Sequence, residues 1–186
     1  MKKAIIINLF CLLACIFLLA AESKSQPLRI EDIKTQMIND WKRAKTFTID
    51  YLNTMPSDKY SFKANDSTRS FAGQMLHLSQ IGFHIMAYAA DQPMPSYAQS
   101  DFQHRASAEV KDSVMYFVMN SYDFCINAVQ NSDTAKWGEK REVPGADAST
   151  RFALMNKAFE HQTHHRGQST IYIRLLGIKP PQEQLF

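Results

Sequence analysis

Apolar residues recur at intervals of three and four through most of the chain. Ile30, Ile33, Met37, Trp41, Ala44, Thr48 and Leu52 trace one such stripe. That spacing predicts an amphipathic helix from about Arg29 to Met55, stopped by Pro56. Tyr60 and Phe62 lie in the following link, Ser57 to Asp66, and are expected to cover one end of the core. Asp66, Ser67 and Thr68 offer N-caps for a second helix, about Thr68 to Ala90. Its stripe is Phe71, Met75, Leu78, Gly82, Ile85 and Ala89. A long connection from Asp91 to Ala106 leads to a third helix, about Ser107 to Asn131, with Val110, Val114, Phe117, Tyr122, Cys125 and Val129 inward. Ser132 to Gly145 reads as a loop. A fourth helix starts near Asp147 or Ser149 and runs to about Leu176, where Gly177 and Pro180-Pro181 stop it. Four long amphipathic helices predict an all-α four-helix bundle, and the two long connections suggest crossovers.

The N-terminus has a different pattern. Lys2 and Lys3 precede an apolar run from Ala4 to Ala21, broken only by Asn8. This is the layout of a secretory signal peptide, with cleavage between about residues 21 and 26. The expected organisation is a leader over 1–25 and one helical domain over 26–186. The expected destination is periplasmic or extracellular, with membrane contact only through the leader. The Leu12-Leu13-Ala14-Cys15 stretch is similar to a lipoprotein box, but apolar Ile16 to Ala20 continue beyond it.

Composition narrows the function. Cleavage before Gln26 removes Cys11 and Cys15, so the mature chain keeps Cys125 alone and has no internal disulfide or cysteine metal cluster. It also removes Lys2, Lys3, Lys24 and Glu22, taking the formal charge from +3 to +1. That balance gives no electrostatic footprint for nucleic acid. Only 6 Gly and 7 Pro in 186 residues argue against a turn-rich β-sandwich.

The candidate chemistry lies in His161-Gln162-Thr163-His164-His165-Arg166-Gly167-Gln168. With Phe152 at zero on a helical projection, His161 and His165 fall at about 180° and 220°. Leu154, Tyr172, Ala158 and Leu176 fall at about 200° to 240° in the same stripe, and His164 at about 120° on its edge. Two imidazoles inside an apolar stripe need partners, and a shared metal ion supplies one for both. Two hydrogen-bonded core histidines would satisfy the same spacing. No Glu follows the first His, so the zinc-protease motif is absent. A third ligand has to come from His77, His84 or His104. His77 and His84 are about 10.5 Å apart along one helix and cannot both reach one ion. Spacing leaves the choice open.

The fourth-helix octapeptide, followed by Tyr172-Ile173-Arg174-Leu175-Leu176-Gly177-Ile178-Lys179-Pro180-Pro181, resembles the end of the DinB (damage-inducible, YfiT-like) family. Gln74-Met75-Leu76-His77-Leu78 is similar to that family's second-helix ligand motif, and Tyr60-Ser61-Phe62-Lys63 to the approach to it. The resemblance implies helices in up-down-down-up order and a divalent ion, zinc or nickel, held by His77, His161 and His165. His164, Arg166 and Gln168 are then candidates to orient the ligands or touch substrate. The family's known activities include thiol-dependent S-transfer and mycothiol-dependent maleylpyruvate isomerisation, and many members are homodimers. The expectation is therefore a metal-dependent enzyme of hydrolase or thiol-transferase type acting on a small molecule, with a low-molecular-weight thiol as an additional cofactor. A non-catalytic metal- or ligand-binding bundle is the alternative. An export signal departs from the cytoplasmic setting of the thiol-dependent members, so the resemblance does not carry the substrate class.

Overall fold

The structure is a computed structural model and describes residues 26–185. The expected leader lies outside the described residues. Four long helices dominate: α1 (Ile30–Thr54), α2 (Phe71–Ala90), α3 (Lys111–Asn131) and α4 (Arg151–Leu175). Two short strands, β1 (Lys140–Val143) and β2 (Ala146–Thr150), lie between α3 and α4.

Side-chain pairs fix the direction of each helix. Lys34 bonds the Ser132 carbonyl, Lys45 pairs with Asp123 and Thr48 with Tyr122, so α1 and α3 run antiparallel. Ser121 bonds the Ser79 carbonyl while Phe83 packs on Phe124, so α2 and α3 run parallel. Gln74 meets Tyr172, His77 meets His161, and Arg151 meets the Ala89 carbonyl, so α2 and α4 run antiparallel. The order is up-down-down-up. Trp41, Met75, Leu76, Phe83, Val114, Tyr122 and Met155 fill the shared core.

Parallel α2 and α3 require the chain to travel the length of the bundle between them. Residues 91–110 do this through three short 3₁₀ turns, at Ser96–Ala98, Phe102–His104 and Ala106–Ala108. The other long connection is not a crossover. Since α3 and α4 are antiparallel, residues 132–150 remain at one end, and part of them folds into a hairpin instead of the expected loop. Pro144 and Gly145 turn the hairpin, with Gly145 at φ 79, a conformation that favours glycine. Its anchors come from distant sequence. Arg141 pairs with Asp91 at 2.6 Å, and Arg151 reaches both Asp91 and Glu139.

Helix starts also fall later than the periodicity predicts. α2 is capped by Ser70, whose Oγ accepts from the Gly73 N–H at 2.9 Å. The Phe71 and Ala72 N–H groups donate to the carbonyls of Phe62 and Tyr60. These outside acceptors satisfy donors that a longer helix would have bonded internally. Val110 precedes α3 and is exposed rather than inward. α4 begins at Arg151 because β2 occupies the preceding residues, and Thr150 Oγ1 caps it. Among the described residues, no helix is long and apolar enough to cross a membrane.

Candidate metal centre

The antiparallel pairing of α2 and α4 sets His77, in the second turn of α2, beside the middle of α4. There it meets His161 and His165, one helical turn apart. One ligand-capable atom from each of the three lies within 4.8 Å of the others. His77 Nε2 and His161 Nε2 are 3.3 Å apart, and the ring centroids are separated by 4.4 to 5.1 Å.

Hydrogen bonds set the tautomers of two rings. His77 Nδ1 lies 2.5 Å from Gln103 Oε1, and His165 Nδ1 lies 2.7 Å from Gln74 Oε1. An amide oxygen only accepts, so each Nδ1 donates and each Nε2 presents a lone pair. Both glutamines are themselves held. Gln74 Nε2 donates to the Tyr172 hydroxyl, which donates to the Arg69 carbonyl at 2.7 Å. The Gln103 N–H donates to Gln80 Oε1, and Gln80 Nε2 donates to the Ser100 carbonyl. α2 therefore anchors the crossover segment, which brings Gln103 to His77. His161 has no such support among the described residues, where its Nδ1 is buried without a hydrogen-bond partner.

The cluster is held neutral. Burial is the main cause in each ring, taking His161 down to about 4 and His165 to about 3, with the adjacent histidines and Arg69 pushing the same way. Burial also lowers His77, against the Gln103 hydrogen bond. Neutral imidazole is the form that ligates metal.

This donor set fits a divalent ion. A tetrahedral ion with bonds of about 2.0–2.1 Å sets its donor atoms about 3.3–3.4 Å apart. The His77–His161 pair already has that spacing. The His77 lone pair faces His161 Nε2 at 3.3 Å, an approach that needs either a proton on His161 or a cation. Among the described residues, no Cys, Asp, Glu or further His joins the group.

The remaining histidines lie elsewhere. His84 is farther along α2, beside Tyr88, Met94 and Arg141. His104 is exposed and paired with Asp101. Among the other sequence candidates, His164 is exposed with its ring 4.8 Å from His165, and Gln168 Nε2 donates to His164 Nε2 at 2.7 Å. Arg166 turns to the α1 side, where it bonds Gln162 at 2.7 Å and covers the Phe47 ring. Sequence reasoning missed the orienting roles of Gln74, Gln103 and Tyr172. Gln74 and Tyr172 stand inside the quoted motifs, whereas no local signal marks Gln103.

Fold and site together define a helical bundle with a three-histidine cluster able to hold a metal ion. The DinB family model matches residues 26–185, and the chain belongs to the DinB family. Solved DinB-like structures share the fold. A DinB-like protein from Bacillus cereus aligns with TM-score 0.63 at 15% identity, covering 80% of this chain and 95% of its own. A DinB-like protein from Bacillus subtilis aligns with TM-score 0.58 at 19% identity, covering 81% of this chain and 96% of its own. No curated protein matches the chain.

Proposed function

We propose that this is an exported DinB-family metalloenzyme in which His77, His161 and His165 hold one zinc or nickel ion. The observation that carries the reading is the convergence of three neutral imidazoles, two of them oriented by buried or half-buried glutamines. Orientation of a ligating histidine through its other ring nitrogen is the usual support of a metal site. Three protein ligands leave a coordination position for substrate, whereas closed structural zinc sites use four. A divalent ion so held supplies Lewis acidity, polarising a carbonyl or lowering the pKa of a water or thiol.

The chain's own groups define what surrounds that chemistry. Gln74 and Gln103 keep the ring protons on Nδ1. His164 accepts from Gln168 at Nε2, which leaves its Nδ1–H as a hydrogen-bond donor on an exposed residue beside His165. Hydrolysis or thiol transfer fits such a site, with export over 1–25 favouring hydrolysis because small thiols are scarcer outside the cytoplasm. The non-catalytic alternative keeps the ion and lacks turnover.

The test is metal content by elemental mass spectrometry on wild type, His161→Ala and His77→Ala. The expected result is about one equivalent of zinc or nickel in wild type, absent from both variants. Wild type that stays metal-free after reloading overturns the proposal. Metal retained in His77→Ala but lost in His161→Ala overturns the assignment of His77.

A further inference from the structure

Arg166 is a buried charge without a counter-charge. It is 7% exposed, yet among the described residues no carboxylate pairs with it. Its Nη1 donates to Gln162 Oε1 at 2.7 Å, Thr48 Oγ1 at 3.4 Å and the Ala44 carbonyl at 3.5 Å. The guanidinium carbon sits 4.8 Å from the Phe47 ring centroid. The Tyr122 hydroxyl lies beside the guanidinium as a further uncharged partner, and among the described residues neither Nε nor Nη2 meets a carboxylate. Arg151, equally buried, is instead met by both Asp91 and Glu139. Buried charges are ordinarily paired, because desolvation is costly.

The unpaired guanidinium lines a cavity of about 510 Å³ between α1, α4 and the C-terminal segment. That segment is strapped in place. Past Gly177 the chain returns over α1, where Arg43 Nη1 donates to the Gln184 carbonyl at 2.5 Å and Gln184 Nε2 donates to Asp50 at 2.7 Å. Arg174 and Lys179 add two cations to the lining, against the single carboxylate of Glu183. Phe47, Tyr51, Pro180 and Pro181 form apolar walls. On α4 the lining positions Thr163, Arg166, Gly167, Thr170 and Arg174 centre about 155° from His165, so this cavity opens on the opposite flank from the histidines.

We propose that this cavity is a second ligand site, taking a small organic anion whose carboxylate or phosphate meets Arg166 between Arg174 and Lys179. The apolar body of the ligand packs against Phe47, Tyr51 and the two prolines. Binding is non-covalent and independent of the metal.

Phenyl phosphate and benzoate are the probes, each titrated into the purified protein and followed by amide chemical shifts. The expected result is saturable shifts at Thr163, Gly167, Thr170 and Gln184 for at least one probe. Inorganic phosphate displacing the probe assigns a phosphate-type ligand, and acetate displacing it instead assigns a carboxylate. Arg174→Gln/Lys179→Gln, two exposed positions, is expected to weaken binding about tenfold or more with metal content unchanged. Arg166→Gln removes the buried charge and is expected to abolish saturation. The proposal is overturned if neither probe saturates by about 10 mM, or if the double variant binds as wild type.

Discussion

Gln74→Leu isolates what the glutamine does for His165. Gln74 is 4% exposed, and leucine is close to it in size and equally suited to a helix interior. The substitution removes the only acceptor of the His165 Nδ1 proton among the described residues, a bond of 2.7 Å. It also removes a donor to the Tyr172 hydroxyl, which keeps its own bond to the Arg69 carbonyl. Two losses follow. A buried N–H left without a partner costs about 1–3 kcal/mol of stability. In addition, the tautomer with its proton on Nε2 is no longer disfavoured, and that proton occupies the ligand atom. Losing such a supporting partner typically weakens metal binding about 10- to 100-fold, equivalent to about 1.4–2.8 kcal/mol.

The assay is competition for zinc against a chromophoric chelator, with urea melts of the same samples. Gln168→Ala is the control, because among the described residues the Gln168 side chain bonds only the exposed His164, and its zinc affinity is expected to change less than about twofold. Gln103→Leu is expected to act in the same direction as Gln74→Leu. The reasoning fails if Gln74→Leu melts cooperatively and binds zinc as wild type does. It also fails if Gln168→Ala loses as much affinity as Gln74→Leu.

Metal-free protein is expected to lose stability in mild acid. His161 and His165 have folded values of about 4 and 3 against 6.5 when unfolded, so the unfolded chain takes up protons first. Their contribution is complete above about pH 6.5 and falls toward pH 4, by up to about 1.4 kcal/mol per pH unit for each ring. Urea midpoints that stay level between pH 7.5 and 5 would contradict this. Gly177→Ala places a Cβ at φ 73 and is expected to cost about 1–2 kcal/mol in the same melts, with zinc affinity unchanged. His161→Leu is expected to be more stable than wild type in chelator and less stable than zinc-loaded wild type; a loss of stability in chelator would assign His161 to the fold.

The helices were legible because each stripe follows the 3.6-residue period, and Pro56 and Gly177 mark two of the ends. The hairpin was not, because Lys140-Arg141-Glu142-Val143 carries no apolar alternation. Its support comes from Asp91 and Arg151, remote in sequence. The His161–His165 pair was legible from spacing, whereas choosing His77 over His84 needed the family motif. Both share a face of α2, and only the axial register against α4, set by the Ala89–Arg151 and Gln74–Tyr172 contacts, decides which one meets the pair. Gln103 depends on where a crossover passes, which no local pattern encodes. Arg166 shows the converse: adjacent to a ligand in sequence, it is turned about 100° from His165 and points to α1.

The cost of the histidine cluster argues for the purpose of the site. Three rings with centroids within 5.1 Å of one another fill positions that apolar residues elsewhere in the core fill without desolvation cost. Gln74 and Gln103 are committed to orienting two of those rings, and His161 Nδ1 is buried with no hydrogen-bond partner among the described residues. No carboxylate among the described residues offsets the arrangement as a structural ion pair would. A fold selected only for stability would replace these groups, as large apolar side chains do at Leu76, Phe83 and Met155. The cluster instead keeps three imidazoles neutral and converging, held by helices on two sides. If the proposed cation is shared among them, zinc-loaded protein is expected to be more stable than metal-free protein, and this end of the bundle should carry the difference.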